Sequence, residues 1–363
     1  MRLGILTFHA AHNYGSMLQA YALQSFLRNH GHEPEIINFR SKVQKLMYTH
    51  PFDFRYQYMI KETIYNALHT PHVLLPRYKR WRLFEKFLRQ HLSLSQEYNT
   101  EEQLKSCAKN YDLIIVGSDQ IWNTNALDFS TAYFADFSSA RKISYAASLG
   151  GAPEKSDKIL LKDQLVNFKH ITVREEWSKD FLINECGINN VDVVLDPVLL
   201  HGVNFYDALI DDEPMVKGDY IFYYTPQGYG DTIYNASKLG KNLGLKVVTD
   251  KYYTGSDDVT ALTLGPSEFL NVLKNATIVC GRSFHLAAFS ILFHKNYYCL
   301  EGNHDSRIVN LLQKLNIKDR FITKDNLDIV KTNSYTINYN RVDELLERQR
   351  QYSANKLLEI TSN

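Results

Sequence analysis

Four stretches of the 363-residue chain carry side chains whose types and spacing can do chemistry. The first, His9-Ala10-Ala11-His12-Asn13-Tyr14-Gly15-Ser16, is a polar loop that opens a helix. Backbone N–H groups at a helix start can receive an anion or a sugar hydroxyl, although the same residues also read as a capped turn. The second, Gly117-Ser118-Asp119-Gln120-Ile121-Trp122-Asn123, follows an apolar run and offers a hydroxyl, a carboxylate, two amides and an indole. A saccharide needs that set, because it has many hydroxyls to orient and an apolar ring face to stack. The third is Val173-Arg174-Glu175-Glu176, where Arg174 either grips a carboxylate or phosphate in two-pronged fashion or pairs with the acids beside it. The fourth, Gly281-Arg282-Ser283-Phe284-His285, stands directly ahead of the apolar segment Leu286 to Phe293. Ser283 there suits the cap of a helix whose positive end attracts an anion, with His285 in the first turn.

Side chains in such places need elements that hold them. Compact apolar runs predict strands at Arg2 to Phe8, Glu35 to Phe39, Tyr111 to Gly117, Lys142 to Ala147, His170 to Arg174 and Val191 to Asp196, with a helix over Met17 to Asn29. A second series follows: strands at Tyr220 to Tyr224, Lys246 to Thr249 and Thr277 to Cys280, with helices over Thr232 to Leu243, Pro266 to Asn275 and Phe284 to Phe293. Strands that alternate with helices form parallel sheets, and ligands of such sheets bind beyond the carboxyl ends of the strands. The four reactive stretches stand at those ends. The connector His201 to Asp219, with Gly202, Asp211-Asp212-Glu213, Pro214 and Gly218, divides the series. The expected fold class is α/β, with two Rossmann-like domains facing across a cleft. Residues 1–205 are the expected N-terminal domain on the acceptor side, residues 206–335 the C-terminal domain on the donor side, and residues 336–363 a helical tail. Within the first, residues 77–92 form an inserted basic helix; Trp81, Phe84, Phe87 and Leu88 lie near helical spacing among cations. That helix suits either packing on its own domain or contact with an anionic inner-membrane surface.

Composition narrows the classes. Lys and Arg number 41 against 40 Asp and Glu, a net charge of +1, so no whole-chain field holds nucleic acid. The 24 Tyr, 19 Phe and 3 Trp are core material first, since a buried tyrosine with a bonded hydroxyl is the common case. The longest apolar stretches fall short of a bilayer span and the first residues turn polar too soon for a signal peptide, so the expected location is cytoplasmic. Cys107, Cys186, Cys280 and Cys299 are widely spaced, which predicts reduced structural thiols, and no ligand spacing calls for a metal.

Together, Asn13-Tyr14-Gly15-Ser16 with Leu18-Gln19-Ala20, Gly117 to Asn123, Val173 to Glu176, Asp196-Pro197, Gly265-Pro266-Ser267-Glu268-Phe269-Leu270 and Ser283-Phe284-His285 resemble the polysaccharide pyruvyl transferase family. The resemblance runs in order from Met1 to about Arg320 and leaves out the basic helix and the tail. It implies a GT-B-like fold and an enzyme of capsule or exopolysaccharide synthesis. Such an enzyme moves pyruvate from phosphoenolpyruvate onto a sugar of a polysaccharide or lipid-linked glycan as a cyclic ketal, with no cofactor. The family's donor contacts carry over to Arg174 and His285. The family's arginine two positions before the histidine is Ser283 here, with Arg282 one residue earlier, so Arg282, Ser283 and Phe284 join the donor set.

Phosphoenolpyruvate carries a carboxylate and a phosphate, which call for cations and N–H donors. His285 is assigned as the acid that protonates the enol ether and Asp119 as the base for the incoming hydroxyl, with Arg174 as the third catalytic residue. Asn13, Tyr14, Gly15, Ser118, Asp119, Gln120, Trp122 and Asn123 form the expected acceptor set. Two other activities suit the same architecture: a nucleotide-sugar glycosyltransferase and a non-catalytic glycan-binding relative.

Overall fold

The apolar runs read as strands assemble into two parallel sheets. The structure is a computed structural model that describes residues 1–54, 57–226, 230–250, 258–302, 304–331 and 337–362. The chain divides into two compact units, each built from separated segments: Met1–Tyr48, Leu88–His201 and Glu347–Asn363 in the first, Thr49–Phe87 and Gly202–Leu346 in the second.

In the first unit, β1 (Arg2–Leu6), α1 (Tyr14–Asn29), β2 (Glu33–Ile36), β3 (Leu113–Val116) and β4 (Arg141–Ser144) give a four-stranded sheet of order β2-β1-β3-β4. Every pairing in it is parallel. Two further strands, β5 (Ile171–Val173) and β6 (Val191–Val193), pair with each other, and the bridges Ile143–His170 and Ala147–Val173 tie β5 to the β4 side. Ile5, Leu6, Ile114 and Ile115 are wholly buried, so β1 and β3 point apolar side chains to both faces. Continuous rather than alternating apolarity is what a parallel sheet covered on both sides requires.

The second unit opens with a helical hairpin, α2 (Gln57–His69) and α3 (Pro71–His91), whose last residues pass into the first unit. Its sheet consists of β7 (Tyr220–Tyr224), β8 (Lys246–Thr249), β9 (Val259–Ala261), β10 (Ile278–Gly281), β11 (Asn296–Leu300) and β12 (Phe321–Ile322). The order is β12-β11-β10-β7-β8-β9, all parallel, which is the 3-2-1-4-5-6 order of dinucleotide-binding folds counted from β7. Two helices follow the strands that matter below. Helix α4 (Pro266–Asn275) starts with proline, where a missing N–H costs nothing, and Glu268 accepts the Gly265 N–H at 3.0 Å. Helix α5 (Phe284–Leu292) is buried along its whole length.

Two expectations change at this level. The segment Thr49–Phe87 groups with the second unit rather than with the residues 1–205 that surround it in sequence. The basic stretch is the second half of α3, and Phe84, Phe87 and Leu88 are buried to 3% exposure or less. Its apolar side is thus spent on packing, and only its charged side is open. The expected tail is α6 (Tyr339–Ser362), which from Glu347 on belongs to the first unit. There the Leu195 N–H donates to Ser353 Oγ at 2.9 Å, Arg350 Nε to the Leu199 carbonyl at 2.8 Å and Arg141 Nη2 to the Thr361 carbonyl at 2.6 Å. The expected boundary at residue 335 lies outside the described residues. All four cysteines are buried and free. Among the described residues no helix is long and apolar enough to cross a membrane.

Candidate functional site

In an open parallel sheet, neighbouring strands whose connections leave in opposite directions open a crevice at their carboxyl ends. In the first unit that crossover falls between β1 and β3, and in the second between β7 and β10. Both crossovers carry reactive stretches picked out in the sequence.

After β3 the backbone turns abruptly. Gly117 has φ 117°, and a Cβ there would lie 2.4 Å from the Tyr145 carbonyl, so only glycine fits. The Gly117–Ser118 peptide is cis, and Asp119 has φ 68°, a left-handed conformation that costs a non-glycine residue energy. Two contacts hold the Asp119 carboxylate: Oδ1 accepts the Gln120 N–H at 2.9 Å, and Oδ2 accepts the Ser16 hydroxyl at 2.5 Å. Ser16 sits in the first turn of α1, behind Asn13, whose side chain caps the helix by accepting the Gly15 and Ser16 N–H groups. Beneath, Gln19 Nε2 donates to Thr7 Oγ1 at 2.9 Å and Thr7 Oγ1 donates to the Ser118 carbonyl at 3.0 Å, which ties α1, β1 and the turn together.

A buried charge cluster supports the turn from the other side. Ser118 Oγ lies 3.0 Å from Asp196 Oδ2. Arg174, 3% exposed, donates through Nη1 to that same oxygen at 2.5 Å and through Nε to Glu175 Oε1 at 3.1 Å. Burial would lower the guanidinium's proton affinity, but Glu175, Asp196 and Asp119 outweigh it and hold Arg174 above its ordinary range. Arg174 is therefore a cation fixed in direction. Tyr48 and Asp128 stand near Asp119. Burial first, then the Asp128 and Asp119 carboxylates, pushes the Tyr48 hydroxyl up. Burial likewise pushes the Asp128 carboxyl up, partly offset by its bond from Gln44.

In the second unit the loop after β10 is equally confined. Gly281 has φ 147° and pairs with Tyr224 of β7, whose carbonyl would be 2.0 Å from any Cβ. The Arg282 N–H donates to that carbonyl at 3.2 Å. Ser283 is the N-cap of α5, its hydroxyl accepting the Leu286 N–H at 3.4 Å. His285, 8% exposed, stands edge-on to Phe284 with centroids 5.1 Å apart. A histidine, an arginine and a capped helix start at a sheet crossover can bind an anion and deliver a proton.

The structure gathers Ser118, Asp119, Arg174 and the Asn13 cap at the first crossover and Arg282, Ser283, Phe284 and His285 at the second. It separates others from the roles expected of them. Trp122 is wholly buried, its Nε1 donating to the Tyr133 carbonyl at 3.3 Å and its ring edge-on to Phe168, so it offers no stacking face. Tyr14 is also wholly buried, and Gly15 lies in the buried first turn of α1. Gln120 and Asn123 bond to each other at 3.0 Å and line Gly150, forming a brace for the turn. Sequence reasoning placed Ser16 and Asp196 in its motifs without giving either a role in the site, and it did not name Tyr48 or Asp128. Asp196, an acid at a strand end before proline, carried a signal, whereas Tyr48 and Asp128 lie in segments without periodicity.

This arrangement defines an α/β protein of two Rossmann-like units, of the GT-B type. Solved structures with that fold include UDP-GlcNAc 2-epimerase from Neisseria meningitidis bound to UDP-GlcNAc, at 12% identity and TM-score 0.56, covering 99% of this chain and 100% of that one. UDP-GlcNAc 2-epimerase from Methanocaldococcus jannaschii is similar at 12% identity and TM-score 0.51, covering 100% and 99%. A glycosyltransferase from Rickettsia africae ESF-5 is similar at 12% identity and TM-score 0.53, covering 99% and 97%. At these identities the likeness is one of fold. Curated protein sequences yield no match. The sequence model of the family described as Polysaccharide pyruvyl transferase matches residues 13–304, and the chain belongs to that family, whose activity is transfer onto polysaccharide.

Proposed function

We propose that the protein transfers pyruvate from phosphoenolpyruvate to a sugar residue of a polysaccharide or lipid-linked glycan precursor, forming a cyclic ketal and releasing phosphate. The carrying observation is the family match over residues 13–304, which includes every candidate from Asn13 to His285. The crossover geometry supports the roles. His285 protonates the methylene carbon of the enol phosphate, while Arg282 and the capped start of α5 hold the donor's negative charge. The resulting oxocarbenium-like carbon is attacked by a sugar hydroxyl, whose proton passes to Asp119; a second hydroxyl then displaces phosphate, its proton returning to His285. Arg174 is the second cation of the reading, directed by Asp196 and Glu175. Asp119, whose carboxylate the Ser16 hydroxyl and the Gln120 N–H hold in one orientation, is the base of this reading. The donor being a cytoplasmic metabolite in this reading, the reaction belongs to the cytoplasm.

Incubation with phosphoenolpyruvate and a panel of hexosides tests this, read as phosphate release and a product bearing a pyruvate ketal. His285→Gln and Asp119→Asn are each expected to lower kcat by about 10² to 10⁴-fold with unchanged melting, the range for loss of a positioned acid or base. Rates near wild type would remove either residue from the reaction. Thermal stabilisation by nucleotide sugars alone would favour a glycosyltransferase, and glycan affinity without phosphate release a binding protein.

A further inference from the structure

The helical hairpin of the second unit carries an apolar row that its own fold leaves uncovered. On α2, Ile60, Ile64 and Leu68 follow one another at i, i+4 and i+8 and are 38, 56 and 74% exposed. Thr70 alone separates the two helices, and just beyond it on α3 Leu75 is 70% exposed. Residues Leu75, Lys79, Arg82 and Lys86, at i, i+4, i+7 and i+11, form one exposed row of α3. The three cations of that row make no ion pair among the described residues. The two helices are joined by a surface ion pair between Arg77 and Glu62 at 2.8 Å. Large exposed side chains in helical register mark a contact surface, because a helix normally turns such a row inward.

We infer that this hairpin docks on an anionic phospholipid membrane, with Ile60, Ile64, Leu68 and Leu75 entering the interface and Lys79, Arg82 and Lys86 meeting the headgroups. Charge decides among occupants. A second copy docking face to face would set these cationic rows against each other, whereas an anionic bilayer complements them and accepts the apolar row at once. The inference stands apart from the pyruvyl-transfer reading, since vesicle binding is measured without turnover.

Sedimentation of the whole protein with vesicles of phosphatidylcholine, alone or with about one-third phosphatidylglycerol, tests it. The expected result is pelleting with the anionic vesicles that weakens as salt is raised. Both Ile64→Asp with Leu68→Asp and Lys79→Glu with Arg82→Glu are expected to lower the bound fraction about tenfold, with melting and phosphate release on a soluble acceptor unchanged. Equal pelleting with neutral vesicles, or binding that survives both double substitutions, would overturn the inference. So would a dimer in light scattering that the Ile64 and Leu68 substitutions dissolve, because the occupant would then be a second copy. Vesicle binding without any turnover would leave the surface standing and count against the activity.

Discussion

Asp119 is held by residues about a hundred positions away in sequence: Ser16 bonds its carboxylate, and Thr7 supports the carbonyl just before it. A turn of strained backbone keeps one geometry only when such contacts over-determine it. Its neighbour Trp122 shows the opposite outcome for a residue of equal apparent promise. The glycine, hydroxyl and carboxylate at the start of the stretch line the crossover, while the indole three positions after Asp119 is turned inward against Phe134 and Phe168. Trp122→Ala is accordingly expected to cost about 3 to 5 kcal/mol in urea unfolding, and Trp122→Phe to leave acceptor KM unchanged. A raised KM at wild-type stability in either variant would return the ring to the ligand.

Elements were legible where their pattern was complete within a few residues. Strands Tyr220–Tyr224 and Lys246–Thr249 and helix Pro266–Asn275 fall where the sequence places them. Helix α2 lacked a recognisable buried stripe because much of its apolar surface faces outward, and β9, a sheet edge with two exposed residues in three, lacked an apolar run. Contacts between elements also set a pH response. His201 Nε2 lies 2.9 Å from the Ala22 carbonyl of α1, and burial lowers its pKa from 6.5 to about 4 although that carbonyl opposes the shift. Between those values the unfolded chain binds the extra proton and the folded one does not, so stability falls as pH drops from about 6.5 towards 4. The shift corresponds to about 3 kcal/mol. Urea unfolding from about pH 8 to about pH 4 should show this loss, and His201→Gln should flatten it; an identical slope in the variant would remove the assignment.

At the scale of the whole molecule, α6 closes the first unit with residues from the far end of the chain. Deleting residues after Leu346 removes the bonds of Arg350, Ser353 and Thr361 and uncovers sites filled by Leu357 and Ile360, both almost wholly buried. Each such side chain contributes about 1.5 to 3 kcal/mol. The truncated protein is expected to melt well below the full chain in calorimetry, and an unchanged transition would show the helix to be dispensable.

Sequence alone determined the α/β alternation, the family motifs and the four polar stretches at strand ends, because each is written in consecutive residues and needs only the period of a helix or strand to be read. The tertiary structure decided which of those polar residues share a crossover, which aromatic rings are core, and which unit claims α3 and α6. Those outcomes depend on burial and on partners such as Asp196 for Arg174 or Asp119 for Ser16, set by packing between segments that no local pattern connects.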